Sequence, residues 1–210
     1  MGIVGRSGVG KTTLLRAVLG DSVGVSGSVE ISPILRQSAR IGYVPQKDAS
    51  LPWKTVRENI RWALNFSRAE DRSGTRIDMC LQMVDLTAHA EKYPDQLSGG
   101  MSRRLMVAKA LVIDPSVLIL DEAFGGLDEE TKQGLINLLR KYLISNKVAL
   151  LSVSHDYQEV VALCNRAVQI RPDLTAITVP YSWDHRNLSY GTKEVAVAAI
   201  ELYNAVQTGG

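Results

Sequence analysis

The stretch Gly5-Arg6-Ser7-Gly8-Val9-Gly10-Lys11-Thr12 decides the fold of this chain. An apolar run at residues 1–4 precedes it and an amphipathic run at residues 11–19 follows, which predicts a strand, a loop and a helix. Glycines let backbone N–H groups approach a triphosphate closely, and a helix N-terminus adds partial positive charge. The pattern predicts a phosphate-binding loop in which Lys11 contacts the outer phosphates and the Thr12 hydroxyl ligates Mg²⁺. We expect all eight residues and Thr13 to contact ATP.

The order of apolar segments predicts an α/β fold. After residue 111, strand-like and helix-like runs alternate at residues 117–120, 129–144, 148–153, 157–163 and 167–170. Such alternation is typical of a parallel sheet that is covered on both faces. Residues 55–111 have helical periodicity instead. We predict a P-loop NTPase (RecA-like) core at about 1–46 and 112–175, an inserted helical lobe at about 47–111, and a C-terminal tail at about 176–210 whose apolar stripe docks on the core.

Composition excludes several classes of protein. The 24 basic and 22 acidic residues give a net charge of +2, which offers no electrostatic argument for a nucleic-acid partner. The longest apolar runs are far shorter than the roughly 20 residues of a membrane-spanning helix. Only Cys80 and Cys164 are present, without the close spacing of a metal or redox motif, so we expect a reduced, cytosolic setting.

Two carboxylates, Asp121 and Glu122, follow the apolar run at residues 117–120. Ligands of open α/β sheets bind at the carboxyl ends of the strands. We expect Asp121 to hold Mg²⁺, usually through water, and Glu122 to polarise the water that attacks the γ-phosphate. Alone, the pair would more often be an ordinary strand end that leads into a helix. Together with the glycine loop, it favours nucleotide hydrolysis.

The segment Leu97-Ser98-Gly99-Gly100-Met101, which opens an apolar helix, narrows the class. With it, the chain resembles the ATPase subunit of ABC transporters from residue 5 to about residue 173, although Met101 stands where that family most often has Gln. The motifs occur in the family's order: the glycine loop, Gln46, residues 97–101, Asp121 with Glu122, Asp128 and His155.

The resemblance implies roles for these motifs. In the family, the segment at residues 98–101 contacts the γ-phosphate of ATP bound to a second ATPase subunit, so it implies a dimer. Asp128 corresponds to an aspartate at that dimer interface, and it also suits an N-cap. Gln46 corresponds to a glutamine that touches Mg²⁺ and the attacking water, and His155 to a histidine that contacts the γ-phosphate. Without the resemblance, Ser98 would be interpreted as a helix cap and His155 as structural.

Two further segments indicate an importer. Lys92-Tyr93-Pro94-Asp95-Gln96 resembles importer ATPases, and Leu51-Pro52-Trp53-Lys54-Thr55-Val56 resembles the branch that imports nitrate, sulfonate or taurine. Trp53 is equally compatible with a core position. The resemblance implies a transmembrane permease as partner, with a substrate-binding protein as a further candidate, and a peripheral position on the cytoplasmic face of the membrane.

Alternatives remain open at this point. One is a soluble ABC-type ATPase that acts on nucleic acid or ribosomes without a permease, and another is a simple P-loop kinase. The family usually has an adenine-stacking aromatic upstream of the glycine loop, whereas only residues 1–4 precede it here. We therefore hypothesise weakened nucleotide affinity. Lys109 is expected on a solvated helix face.

Overall fold

The computed structural model describes residues 1–6, 8–20, 40–67, 75–171, 176–182 and 190–208. Ser7 lies outside these ranges, and so do Val29 and Ile31, around which the sequence pattern predicts short strands. The strands are β1 Gly2–Val4, β2 Ile41–Val44, β3 Val117–Asp121, β4 Ala149–Val153, β5 Arg166–Ile170 and β6 Ala176–Ser182. The α-helices are α1 Lys11–Val18, α2 Val56–Phe66, α3 Arg76–Met83, α4 Gly99–Leu111, α5 Glu129–Asn146, α6 Tyr157–Leu163 and α7 Lys193–Thr208. Short 3₁₀ turns lie at Thr87–His89 and Pro94–Gln96.

The chain forms two compact units, each of which is built from separate stretches of the sequence. Unit 1 comprises residues 1–38, 119–122 and 150–210, and unit 2 comprises residues 39–118 and 123–149. The division into core, helical lobe and tail that we drew from the sequence stays a prediction. No helix in the ranges given above is long and apolar enough to cross a membrane.

Unit 1 is built on a mainly parallel sheet. Its strands follow the order β3-β4-β1-β5-β6. Strand β1 pairs in parallel with both β4 and β5, whereas β6 pairs antiparallel with β5. The α/β prediction is confirmed, and the antiparallel strand comes from the tail. Because β1 lies inside the sheet with Ile3 and Val4 almost fully buried, the glycine loop starts from a fixed strand end.

Helix α1 buries one narrow side. Lys11 and Leu15, one turn apart, are 4% and 0% exposed. The amphipathic run at residues 11–19 also predicts that Leu14 faces inward; this prediction is wrong, since the Leu14 side chain is 42% exposed. Consecutive residues of a helix point about 100° apart, so a helix that buries the side of Leu15 turns Leu14 outward.

The C-terminal helix α7 packs against other elements of unit 1, as its apolar stripe predicts. It packs against α6 and β6. The rings of Tyr203 and Tyr157 meet edge to face, with their centroids 5.4 Å apart. The residues that form the buried stripe are Val195, Ala199, Leu202 and Val206.

Helix α4 is the centre of unit 2, where it packs against α2, α3, α5 and β2. A capping box between Thr55 and Glu58 fixes the start of α2. The fully buried Asn59 accepts a hydrogen bond from the Leu51 N–H and donates to the carbonyls of Leu51, Lys54 and Thr55. The loop before α2 is therefore anchored at both ends.

Candidate functional site

The glycine loop has a backbone that requires glycine. Gly8 and Gly10 have φ angles of 78° and 99°, in the left-handed region that side chains disfavour. A Cβ on Gly5 would lie 2.8 Å from the Ile170 carbonyl oxygen of β5. Gly10 is the N-cap of α1, so the loop leads directly into the helix N-terminus. The first N–H groups of a helix have no intrahelical partner and point towards such a loop.

Lys11 holds its ammonium group inside this loop. The Nζ atom donates hydrogen bonds to the carbonyl oxygens of Gly5, at 3.0 Å, and Arg6, at 2.9 Å. It also lies 4.0 Å from Oε1 of Glu122. A buried ammonium needs such acceptors. The lysine is thus poised beside the backbone that would surround a phosphate group.

Thr12 and Asp121 meet at the base of the loop. The Thr12 hydroxyl donates a hydrogen bond to Oδ1 of Asp121 at 3.0 Å, and Asp121 is 1% exposed. Mg²⁺ is usually held by one or two carboxylates together with substrate phosphates and water. A hydroxyl and a carboxylate oxygen side by side next to a phosphate loop fit that requirement. Thr13, one residue further along α1, is exposed.

Glu122 lies at the end of β3 in a strained conformation. Its φ is 45°, and the left-handed region costs a residue with a side chain about 1–2 kcal/mol. Its N–H donates to the Val153 carbonyl at 2.9 Å, which ties the residue to the end of β4. Its Oε2 lies 3.8 Å from Nδ1 of His155. Such strain is common at functional sites, where surrounding contacts maintain it.

Five predicted site residues thus gather in unit 1: Lys11, Thr12, Asp121, Glu122 and His155. The histidine side chain is 69% exposed, whereas that of Glu122 is 20% exposed. Gly5, Arg6, Gly8, Val9, Gly10 and Thr13 also belong to unit 1, whereas the remaining predicted residues belong to unit 2, namely Gln46, Ser98, Gly99, Gly100, Met101 and Asp128.

Ser98 and Asp128 both cap helices, as expected from their residue types. Ser98 Oγ accepts a hydrogen bond from the Met101 N–H at 3.3 Å, and Asp128 Oδ1 accepts one from the Thr131 N–H at 2.9 Å. The latter bond lowers the pKa of the Asp128 carboxyl. A Cβ on Gly100 would lie 2.9 Å from Cγ2 of Thr131. The starts of α4 and α5 are therefore in close contact.

Arg103 holds the segment that carries Gln46, a role that the sequence did not reveal. Its guanidinium donates to the carbonyls of Pro45, at 2.7 Å, and Gln46, at 2.9 Å. Burial lowers its pKa. Lys109 donates to the Ala49 carbonyl at 2.6 Å, so the expectation of a solvated lysine is wrong. The sequence shows that basic residues follow the glycine-rich start of α4. Their hydrogen-bond acceptors, however, are backbone carbonyls, which no sequence pattern identifies.

Trp53 is 70% exposed, so the core position that the sequence allowed is wrong. It lies in the loop that Asn59 anchors. A large exposed aromatic side chain on a fixed loop is typical of an interaction surface.

Comparison with known proteins agrees with the motifs. The family model described as ABC transporter matches residues 1–125. The chain is similar to the aliphatic sulfonates import ATP-binding protein of Bacillus thuringiensis subsp. konkukian, with 37% identity over 79% of this chain and 66% of the relative. It is also similar to the nitrate import ATP-binding protein of Synechococcus elongatus, with 39% identity over 80% of this chain and 63% of the relative. The chain thus spans slightly less than two thirds of each relative's length.

Solved structures have the same fold. A dimeric ATP-binding cassette bound to ADP and Pi matches with a TM-score of 0.70 at 25% identity, over 86% of this chain and 85% of that chain. A metal-chelate type ABC transporter in an inward-facing conformation matches with a TM-score of 0.72 at 23% identity, over 95% of this chain and 76% of that chain. The motifs occur in the family's order, the family model matches more than half of this chain, and the fold agrees. The chain therefore belongs to the ABC transporter family and has the P-loop NTPase fold.

Proposed function

We propose that this chain is the ATP-binding and ATP-hydrolysing subunit of an ABC importer for a small anion such as nitrate, sulfonate or taurine. The observation that carries the proposal is the cluster in unit 1, in which Lys11, Thr12, Asp121, Glu122 and His155 share one end of a parallel sheet. The names of the sulfonate and nitrate relatives support the substrate class.

The glycine loop is the proposed site for the ATP phosphates. Lys11 exchanges the carbonyls of Gly5 and Arg6 for phosphate oxygens, and the N–H groups at the start of α1 donate to them. Thr12, Asp121 and Gln46 are the proposed holders of Mg²⁺, which neutralises phosphate charge when bound. The hydrogen bond between Thr12 and Asp121 brings a hydroxyl oxygen and a carboxylate oxygen together, which supports this proposal.

Glu122 is the proposed general base for the attacking water. Its carboxylate lies near both Lys11 and His155, so one oxygen faces the phosphate loop and the other faces the histidine. A general base has to lie within hydrogen-bond reach of the proton that it abstracts. His155 is proposed to contact the γ-phosphate, and Gln46 to contact the attacking water.

A second ATPase subunit is proposed to complete the site. Ser98 and Gly99 are exposed at the N-terminus of α4, where free amides and partial positive charge suit an anion. Together with Gly100, Met101 and Asp128, they would face ATP bound to the second subunit. The dimeric state of the matching cassette supports this arrangement.

A permease is the proposed membrane partner, and it would hold the chain on the cytoplasmic face of the membrane. Trp53 in the anchored loop is the residue of unit 2 that we assign to this contact. A substrate-binding protein on the other side of the membrane is a further proposed member of the system. No nucleic acid is expected, since the net charge of +2 favours none.

Co-purification with the neighbouring permease tests the proposal, in parallel with ATP hydrolysis by the complex. We expect Trp53→Ala to reduce the amount of bound permease at least fivefold. Met79→Ala, which truncates another side chain of unit 2 that is 63% exposed, serves as the matched control and should have no effect. ATP hydrolysis without any permease binding, stimulated instead by DNA or ribosomes, would support the alternative of a soluble ABC-type ATPase and refute the importer.

A further inference from the structure

A buried hydroxyl and a buried carboxylate lie next to His155. Ser154 and Glu159 are 2% and 5% exposed. The Ser154 hydroxyl donates to Oε2 of Glu159 at 2.6 Å. This length is typical of a charge-assisted bond from a hydroxyl to a carboxylate.

The same hydroxyl also fixes the backbone around His155. Ser154 Oγ accepts a hydrogen bond from the Asp156 N–H at 2.9 Å, so the bond spans the histidine. The Ser154 N–H donates to the Ile3 carbonyl at 3.3 Å, which ties the segment to the strand that leads into the glycine loop. The backbone is therefore held on both sides of a histidine whose own side chain is largely exposed.

Helix capping does not account for Glu159. The N-cap of α6 is Asp156, whose Oδ1 accepts from the Gln158 N–H at 2.8 Å. Burying a carboxylate is costly unless its hydrogen bonds are satisfied, and hydrophobic residues often replace such groups without loss of stability. Glu159 lies in the first turn of α6, where a negative charge favours the helix dipole, but its bond to Ser154 reaches out of the helix to the residue before His155.

We propose that Ser154 and Glu159 are positioning residues for hydrolysis. Glu159 orients the Ser154 hydroxyl, the hydroxyl holds the Asp156 N–H, and the fixed backbone directs His155 towards Glu122 and the γ-phosphate. This inference rests on the proposed function, because it assigns a role in ATP hydrolysis through His155.

The variants Ser154→Ala and Glu159→Ala test this inference in the intact chain. We expect kcat for ATP hydrolysis to fall about tenfold, because small misplacements of a group near the reacting atoms slow catalysis, while the ATP Kd stays within about twofold. Ser154→Thr retains the hydroxyl donor and Glu159→Gln retains an acceptor oxygen, so each should recover most of the rate. Ser152→Ala is the matched control, since Ser152 is equally buried on the same segment. A parallel loss of kcat and of ATP binding, or no rescue by either conservative variant, would overturn the inference.

A double-variant cycle separates positioning from general destabilisation. If Ser154 acts through His155, Ser154→Ala should lower kcat no further in a His155→Ala background. An equal loss in both backgrounds would contradict the inference.

Amide hydrogen exchange at Asp156 reads the same geometry without any turnover. We expect exchange at least tenfold faster in Ser154→Ala and close to wild type in Ser154→Thr. If the wild-type chain hydrolyses no ATP but this pattern holds, the proposed function fails while the positioning of the His155 backbone stands. Unchanged exchange in Ser154→Ala refutes the positioning itself.

Discussion

The contact between Gly100 and Thr131 gives a prediction whose size follows from the geometry. Gly99 and Gly100 are adjacent in the first turn of α4, and each gains up to about 1 kcal/mol in helix propensity when replaced by alanine. A Cβ on Gly99 meets nothing within 4 Å, whereas one on Gly100 would lie 2.9 Å from Thr131 Cγ2. Overpacking of this kind costs about 1–3 kcal/mol. We therefore expect Gly100→Ala to be less stable than Gly99→Ala by about 1–3 kcal/mol.

Thermal unfolding followed by circular dichroism measures this difference. For a domain of this size, 1 kcal/mol shifts Tm by about 2–4 °C, so the Tm values of the two variants should differ by about 2–12 °C. Thr131→Ser removes Cγ2 and keeps both the hydroxyl and the N–H that Asp128 caps. Combined with Gly100→Ala, it should restore most of the lost Tm. Equal Tm values for the two alanine variants, or no recovery in the combination, would refute the proposed close contact.

Three further predictions concern other parts of the molecule. In a steady-state assay, Thr12→Val should lower Mg²⁺-dependent ATP hydrolysis about 10–100-fold, whereas Thr12→Ser should retain it. Equal rates for the two variants would exclude the Thr12 hydroxyl as a ligand. Arg103→Ala removes charged hydrogen bonds to two carbonyls, so it should lower the free energy of unfolding, measured by urea denaturation, by about 1.5–3 kcal/mol. Arg103→Lys is the control and should lose less stability. Burial raises the pKa of the Cys80 thiol to about 11, so little thiolate exists at pH 8. Iodoacetamide should therefore label Cys80 slowly until the chain is unfolded. Rapid labelling of the folded chain would contradict the burial.

The motifs with a strict backbone or ligand requirement could be predicted from the sequence. The glycine loop specifies its own geometry, since the left-handed backbone at Gly8 and Gly10 strongly favours glycine. Asp121 and Glu122 were identifiable because an apolar strand ends at them. Their meeting with Lys11 and Thr12 follows from a parallel sheet, in which strand ends share one edge.

Features that depend on tertiary contacts could not be predicted. Arg103 and Lys109 bond to backbone carbonyls of residues 45–49, which a sequence does not mark as acceptors. The left-handed backbone of Glu122 is maintained by its neighbours and not by its own preference. Leu14 and Trp53 show the same limit for burial, because apolar character alone does not say which side of a helix or loop faces the core.

ATP binding and turnover by Glu122→Gln, measured side by side, show whether Glu122 is the general base. The substitution keeps the shape of the side chain and removes its ability to accept a proton, so only the chemical step should suffer. We expect unchanged ATP affinity, hydrolysis reduced at least about 100-fold, and a stable ATP-bound dimer in size-exclusion chromatography. Undiminished hydrolysis would contradict the assignment of Glu122 as the base and, with it, the proposed site.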